Sequence, residues 1–115
     1  MSSRLKKYFA KLKLLKDASA KIRKDILKDC SKGLLCCLCE CAKNVLKGNV
    51  PLTKVQKNKL KRFKKKLRNL SSKKVRVQDK KKIVQSGGFL SALLTPVISL
   101  LGSLLIPTLF PQNNG

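Results

Sequence analysis

The strongest constraint in this 115-residue chain is a charge boundary at Lys82. Between Lys54 and Lys82 lie fifteen Lys/Arg and one acid, Asp79; the 33 residues from Ile83 to Gly115 carry no ionisable side chain. Gly87-Gly88 joins the two parts, and Phe89 to Phe110 is almost wholly apolar. The chain therefore reads as two devices, one for a polyanion and one for a membrane or a hydrophobic partner.

Periodicity places the cationic part on helices. Leu5, Tyr8, Phe9, Leu12 and Leu15 recur at steps of three and four between lysines, which predicts a helix over 4–16. A second helix follows Ser19, a candidate N-cap, and carries Ile22, Ile26 and Leu27 towards Cys30. Asp17, Asp25 and Asp29 interleave with lysine here, so i,i+4 pairs can support it. Ser31-Lys32-Gly33 breaks the chain. Gly33 to Leu46 then carries two adjacent stripes, Leu34/Leu38/Cys41/Val45 and Leu35/Cys39/Ala42/Leu46, and so belongs in a core.

Gly48-Asn49 ends that helix where a left-handed cap costs little. Thr53 with Gln56 three residues on is a capping-box pattern that opens a helix over 54–70. Leu60, Phe63, Leu67 and Leu70 form its single seam. Ser71-Ser72 breaks it, Val75-Arg76-Val77 alternates like a short extended piece, and Asp79 is placed to cap a last helix over 80–85. The expected fold is all-α: a basic domain of four or five short helices over 1–85, most cationic over 54–82. A Gly-rich junction at 86–88 and a hydrophobic tail over 89–115 follow it.

The charge points to a partner. The 28 Lys/Arg are mostly Lys, and the net charge is +23. Lysine meets phosphate as a point charge and reads base edges poorly, so backbone binding without sequence preference is expected. Self-repulsion at this charge favours a polyanion in the working state. With six to ten phosphate contacts, affinity would fall by about 10³–10⁵ between 50 and 200 mM salt. Aromatic content of 4% without Trp argues against stacking on unpaired bases.

Enzyme chemistry has no foothold. His is absent, and there are no paired carboxylates and no phosphate-cradling Gly loop. Cys30, Cys36, Cys37, Cys39 and Cys41 invite a metal reading, but thiolates on one helix cannot close a tetrahedron. Buried packing is the favoured role, ahead of a redox or disulfide role. No metal, cofactor or small-molecule substrate is expected. The amphipathic start lacks the continuous apolar stretch of a secretory leader, so secretion is not expected.

The tail spans about 22 residues, enough to cross a ~30 Å hydrocarbon core. Pro96, Gly102 and Pro107 interrupt it, and Ser91, Thr95, Ser99 and Ser103 fringe it with hydroxyls. A kinked helix or short broken hairpin is expected, inserted in a membrane or capsid protein, or else packed on its own domain.

Particular residues carry a family resemblance. Lys80-Lys81-Lys82-Ile83-Val84-Gln85, Gly87-Gly88-Phe89-Leu90, Ala92-Leu93-Leu94, Pro96 and the run Leu100–Leu105 together resemble the minor core protein X, or mu precursor, of adenoviruses. With the Gly48-Asn49-Val50-Pro51-Leu52 turn before a Lys-rich helix, they resemble still more the X-like core proteins of adintoviruses and Polinton-type elements. The resemblance covers about residues 48–105. It implies a virion core protein that compacts double-stranded viral DNA, located in the virion core and host nucleus. It also implies protease processing at Gly87, Gly88 and Phe89, because Gln85-Ser86-Gly87-Gly88-Phe89 resembles a Gly-Gly type cleavage site.

The expected phosphate contacts are Lys54, Lys57, Lys61, Arg62, Lys64, Lys65, Lys66, Arg68, Lys73, Lys74, Arg76, Lys80, Lys81 and Lys82. Leu60, Phe63 and Leu67 would anchor their helix on the core. Segment 89–110 would meet capsid protein or membrane. Two other classes fit the same pattern: a membrane-active or tail-anchored protein whose lysines read anionic lipid, and a cellular RNA-binding basic protein.

Overall fold

A computed structural model describes residues 3–86 and 88–109, with side chains as far as Leu104. The fold is all-α, as the periodicity predicts. The described residues form eight helices: α1 Ser3–Lys7, α2 Phe9–Asp17, α3 Ala20–Lys28, α4 Lys32–Leu46, α5 Lys54–Arg62, α6 Lys64–Ser71, α7 Val77–Gln85 and α8 Phe89–Leu109.

The caps read from sequence at Ser19, Gly48 and Thr53 are in place. The Ser19 hydroxyl accepts from the Ile22 amide at 3.3 Å, opening α3. Thr53 and Gln56 close the capping box of α5: the Thr53 hydroxyl accepts from the Gln56 amide, and the Gln56 side chain accepts from the Thr53 amide. Gly48, at φ +78, ends α4 in the left-handed region that glycine enters without a Cβ penalty. Its amide donates to Val45 and that of Asn49 to Asn44, the two bonds of a Schellman cap.

Two predicted helices are each divided at an aromatic residue. Tyr8 separates α1 from α2, and Phe63 separates α5 from α6. At Phe63 (φ −105, ψ 16) the amide reaches back three residues to Leu60 rather than four, which tightens the turn. Near its N-terminus α4 approaches Tyr8 so closely that a Cβ on Gly33 would run into the Tyr8 hydroxyl.

Asp79 differs from expectation. α7 begins two residues before it, at Val77, with Arg76 as N-cap. Asp79 instead lies in the first turn, where its carboxylate suits the helix dipole and takes the Arg76 guanidinium at 3.1 Å. Of the expected extended piece, Arg76 is extended and Val77 is already helical.

The core forms around α8. Phe89, Leu90, Leu93, Leu94, Val97, Ile98 and Leu101 are buried in one cluster with Leu12, Leu15, Leu34, Leu38, Cys41, Leu60, Leu67, Leu70 and Val84. α8 packs against α2, α4, α5 and α7, while α4 packs against α1, α6 and α7. Each fully buried Leu, Val or Phe stabilises the fold by about 1.5–3 kcal/mol relative to exposure. The boundary expected at 86–88 is thus one that the hydrophobic core crosses.

α8 is a continuous helix through Pro96, Gly102 and Pro107, so of the two expected forms the broken hairpin is not the one adopted. Its hydroxyls turn inward on its own backbone: Thr95 donates to the Ser91 carbonyl at 2.8 Å and Ser99 to Thr95 at 3.0 Å. The Thr95, Ser99 and Ser103 hydroxyls therefore need no partner from elsewhere.

Candidate nucleic-acid interface

The seam of α5 and α6 determines where their charges go. Leu60, Leu67 and Leu70 are buried and Phe63 is half-buried, so most of the intervening residues face outward. Lys54, Lys57, Lys61, Arg62, Lys64, Lys65 and Arg68 are all exposed on these two helices. Lys73 and Lys74 are exposed in the connection to α7, and Lys82 is exposed on α7. Lys59, outside the expected set, belongs with them: it is exposed on α5.

Four of the expected contacts are placed otherwise. Lys66 is half-buried; its ammonium donates to the Ser86 hydroxyl at 3.1 Å and lies 5.5 Å from the Phe63 ring centroid. It ties α6 to the end of α7 as well as carrying charge. Lys80 and Lys81 are half-buried against the cysteine-bearing side of the domain. Arg76 is exposed but engaged by Asp79.

The cationic surface extends beyond the 54–82 block. Lys6, Lys7, Lys11, Lys13, Lys21, Lys24, Lys28, Lys32 and Lys47 are exposed as well. Three ion pairs join described residues: Arg4–Glu40 at 3.9 Å, Lys16–Asp17 at 3.4 Å and Arg76–Asp79 at 3.1 Å. With 28 Lys/Arg against five Asp/Glu, most of the positive charge stays uncompensated within the fold, and exposed pairs of this kind are worth at most about 1 kcal/mol.

One cation has an architectural role that its sequence position conceals. Arg23 is half-buried, and its Nε donates to the Leu15 carbonyl at 2.8 Å. Its Nη2 donates to Ala18 at 2.9 Å and to Lys16 at 3.4 Å. The guanidinium therefore covers the C-terminal carbonyls of α2, and it is not free for a ligand.

The cysteines lie where helical spacing predicts. Cys37 and Cys41 share the buried face of α4, while Cys36 and Cys39 are half-buried on another face. The Cys37–Cys41 hydrogen bond and burial push the Cys41 thiol well up, and accepting that bond draws Cys37 down. Burial raises Cys30 and Cys39, partly offset by Lys81 and Lys80 respectively. Among the described residues no group of three or more His, Cys, Asp or Glu could hold a metal ion.

At the junction, Gly88 is exposed with φ +78, while Phe89 is fully buried and begins α8. Gly87 lies outside the described residues. A protease that takes an extended segment would have to unwind the first turn of α8 to reach the Gly88–Phe89 bond. Among the described residues no single helix is long and apolar enough to cross a membrane; α7 and α8 pass that test only as a pair bent by 86°.

The fold and its surface thus define a small all-α protein with an apolar core and a lysine-dominated exterior. Comparisons with protein-family models, with curated proteins and with solved structures each return no match.

Proposed function

We propose that the chain binds and condenses double-stranded DNA without sequence preference, as a core nucleoprotein of a virus-like particle, and performs no catalysis. The observation that carries this reading is the outer surface of α5 and α6, where every charged side chain is Lys or Arg. Flexible ammonium groups neutralise phosphates and leave base edges unread.

Charge and size agree with such a role. Duplex DNA carries one charge per about 1.7 Å of axis, so the net charge of +23 matches about 40 Å of duplex. The molecule is 47 Å along its longest axis. One molecule therefore neutralises roughly the length it can cover, which is the condition for condensation rather than for charge reversal. Among the described residues Tyr8, Phe9, Phe63 and Phe89 are all buried or half-buried, so no aromatic ring is offered as a platform for unpaired bases.

The capsid or membrane contact of the uncharged segment would fall at the outer end of α8, where Leu104 is exposed. The particle core, and the nucleus of its host, are the expected locations.

The test is condensation of long duplex DNA by the full chain, followed by light scattering, with structured RNA and anionic vesicles as competitors at equal charge. The reading predicts condensation near charge equivalence and little displacement by vesicles. Failure to condense, or displacement by vesicles or RNA at equal charge, would overturn it.

A further inference from the structure

α5 and the first turns of α8 do not close on each other completely. Between them lies a cleft of about 380 Å³, within the roughly 300–1,000 Å³ range of ligand pockets. Val55, Phe63 and Ala92 supply apolar lining, Ser91 and Thr95 line it from α8, and Lys59 and Arg62 line it from α5. From Gly88 to Thr95 the α8 wall is about 10 Å long.

We infer that this cleft is a binding site for a single-chain aliphatic anion, such as a medium-chain fatty acid. Its chain would lie along α8 and its head group against Lys59 and Arg62.

The lining favours this ligand class over the alternatives. Lys59 and Arg62 are i,i+3 on one face of α5 and can hold one anionic head together. No acid lines the cleft, and among the described residues none pairs with either cation. A phosphate alone would leave the apolar wall behind the cations unused. Thr95 offers the ligand little, because its hydroxyl is already donated to Ser91. Val55, 65% exposed, is an apolar side chain left on a helix otherwise covered with charge, and an alkyl chain would cover it. A second copy of the chain, itself at +23, is an unfavourable occupant. The site does not depend on DNA being the polyanion bound elsewhere on the surface.

The test is a methyl NMR titration of the full chain with sodium hexanoate, octanoate and decanoate, below micelle-forming concentrations. Shifts are expected at Val55, Ala92 and Thr95 with a stoichiometry of one. Affinity should rise by about fourfold per added methylene, the mark of an apolar chain site. The exposed double substitution Lys59→Gln/Arg62→Gln should weaken octanoate at least about fivefold while keeping the chain-length dependence. Ser91→Leu, which fills the cleft, should abolish the shifts. Affinity independent of chain length, shifts scattered over the lysine surface, or unchanged binding by the double variant would each overturn the inference.

Discussion

Phe63 and Phe89 meet edge to face, with ring centroids 5.6 Å apart and planes at 66°. One belongs to the most cationic stretch of the chain and the other opens its apolar stretch, so the pair joins the two chemistries at one point. Lys66 lies against the Phe63 ring as well, which brings a charge to the edge of the core.

Removing Phe89 should therefore loosen the basic helices as well as α8. Phe89→Ala is expected to destabilise the fold by about 3–5 kcal/mol, and a Phe63/Phe89 double-mutant cycle should return a coupling of about 0.5–1.5 kcal/mol. Denaturant unfolding measures both. Purely additive losses would mean that the rings only share a neighbourhood. By the same logic a chain ending at residue 88 should lose its cooperative transition, because α2, α4, α5 and α7 would each lose their contact with α8.

Arg23 should behave as a structural residue. Arg23→Ala leaves the last carbonyls of α2 without their donors and is expected to cost about 1–3 kcal/mol. Arg23→Lys should recover only part of this, since an ammonium cannot span the same carbonyls as a planar fork. The salt dependence of DNA binding by Arg23→Gln, which removes the charge, should match the parent. A change of slope there would show that Arg23 contacts phosphate instead.

The thiols make a prediction about pH. Cys30, Cys39 and Cys41 hold their protons more tightly in the folded state than ordinary thiols do. A raised folded pKa stabilises fully below the ordinary thiol range of about 8.5–9 and is lost as pH climbs through the folded value. Stability should therefore fall from about pH 9 upward, and Cys41→Ala should flatten part of that fall. Alkylation followed by mass spectrometry at pH 8 should mark half-buried Cys36 well before Cys41. Equal rates at the two positions would contradict the burial seen on α4.

Much of this architecture is legible in the residues. Apolar steps of three and four marked the helices, and Ser19, Thr53-Gln56 and Gly48 marked ends that local backbone chemistry alone determines. What was hidden depends on residues distant in sequence. The divisions at Tyr8 and Phe63 occur inside good helical patterns, where nothing local forbids a continuous helix. Arg23 looks like any surface cation until α2 and α3 are brought together. The destination of 89–104 was ambiguous for a physical reason: hydrocarbon and a protein core make the same demand on a side chain. The one-residue-per-turn seam of Leu60, Phe63 and Leu67 is too narrow to enclose a core alone, and that shortfall is the sequence feature that points to an apolar helix as its cover. Within the cationic set, exposure separates freely placed lysines such as Lys57, Lys61 and Lys65 from half-buried Lys66, Lys80 and Lys81, a distinction that charge patterning does not make.

The central claim is that exposed lysines count phosphates, and the salt dependence of binding tests it most directly. Affinity of the full chain for two unrelated duplexes would be measured from 50 to 300 mM salt, beside a variant carrying Lys57→Gln, Lys61→Gln and Lys65→Gln. The account predicts steep, superimposable lines for the two sequences, and a variant slope shallower by about three, close to one unit per lost contact. A shallow slope for the parent, a difference between the two duplexes, or a variant indistinguishable from the parent would contradict it.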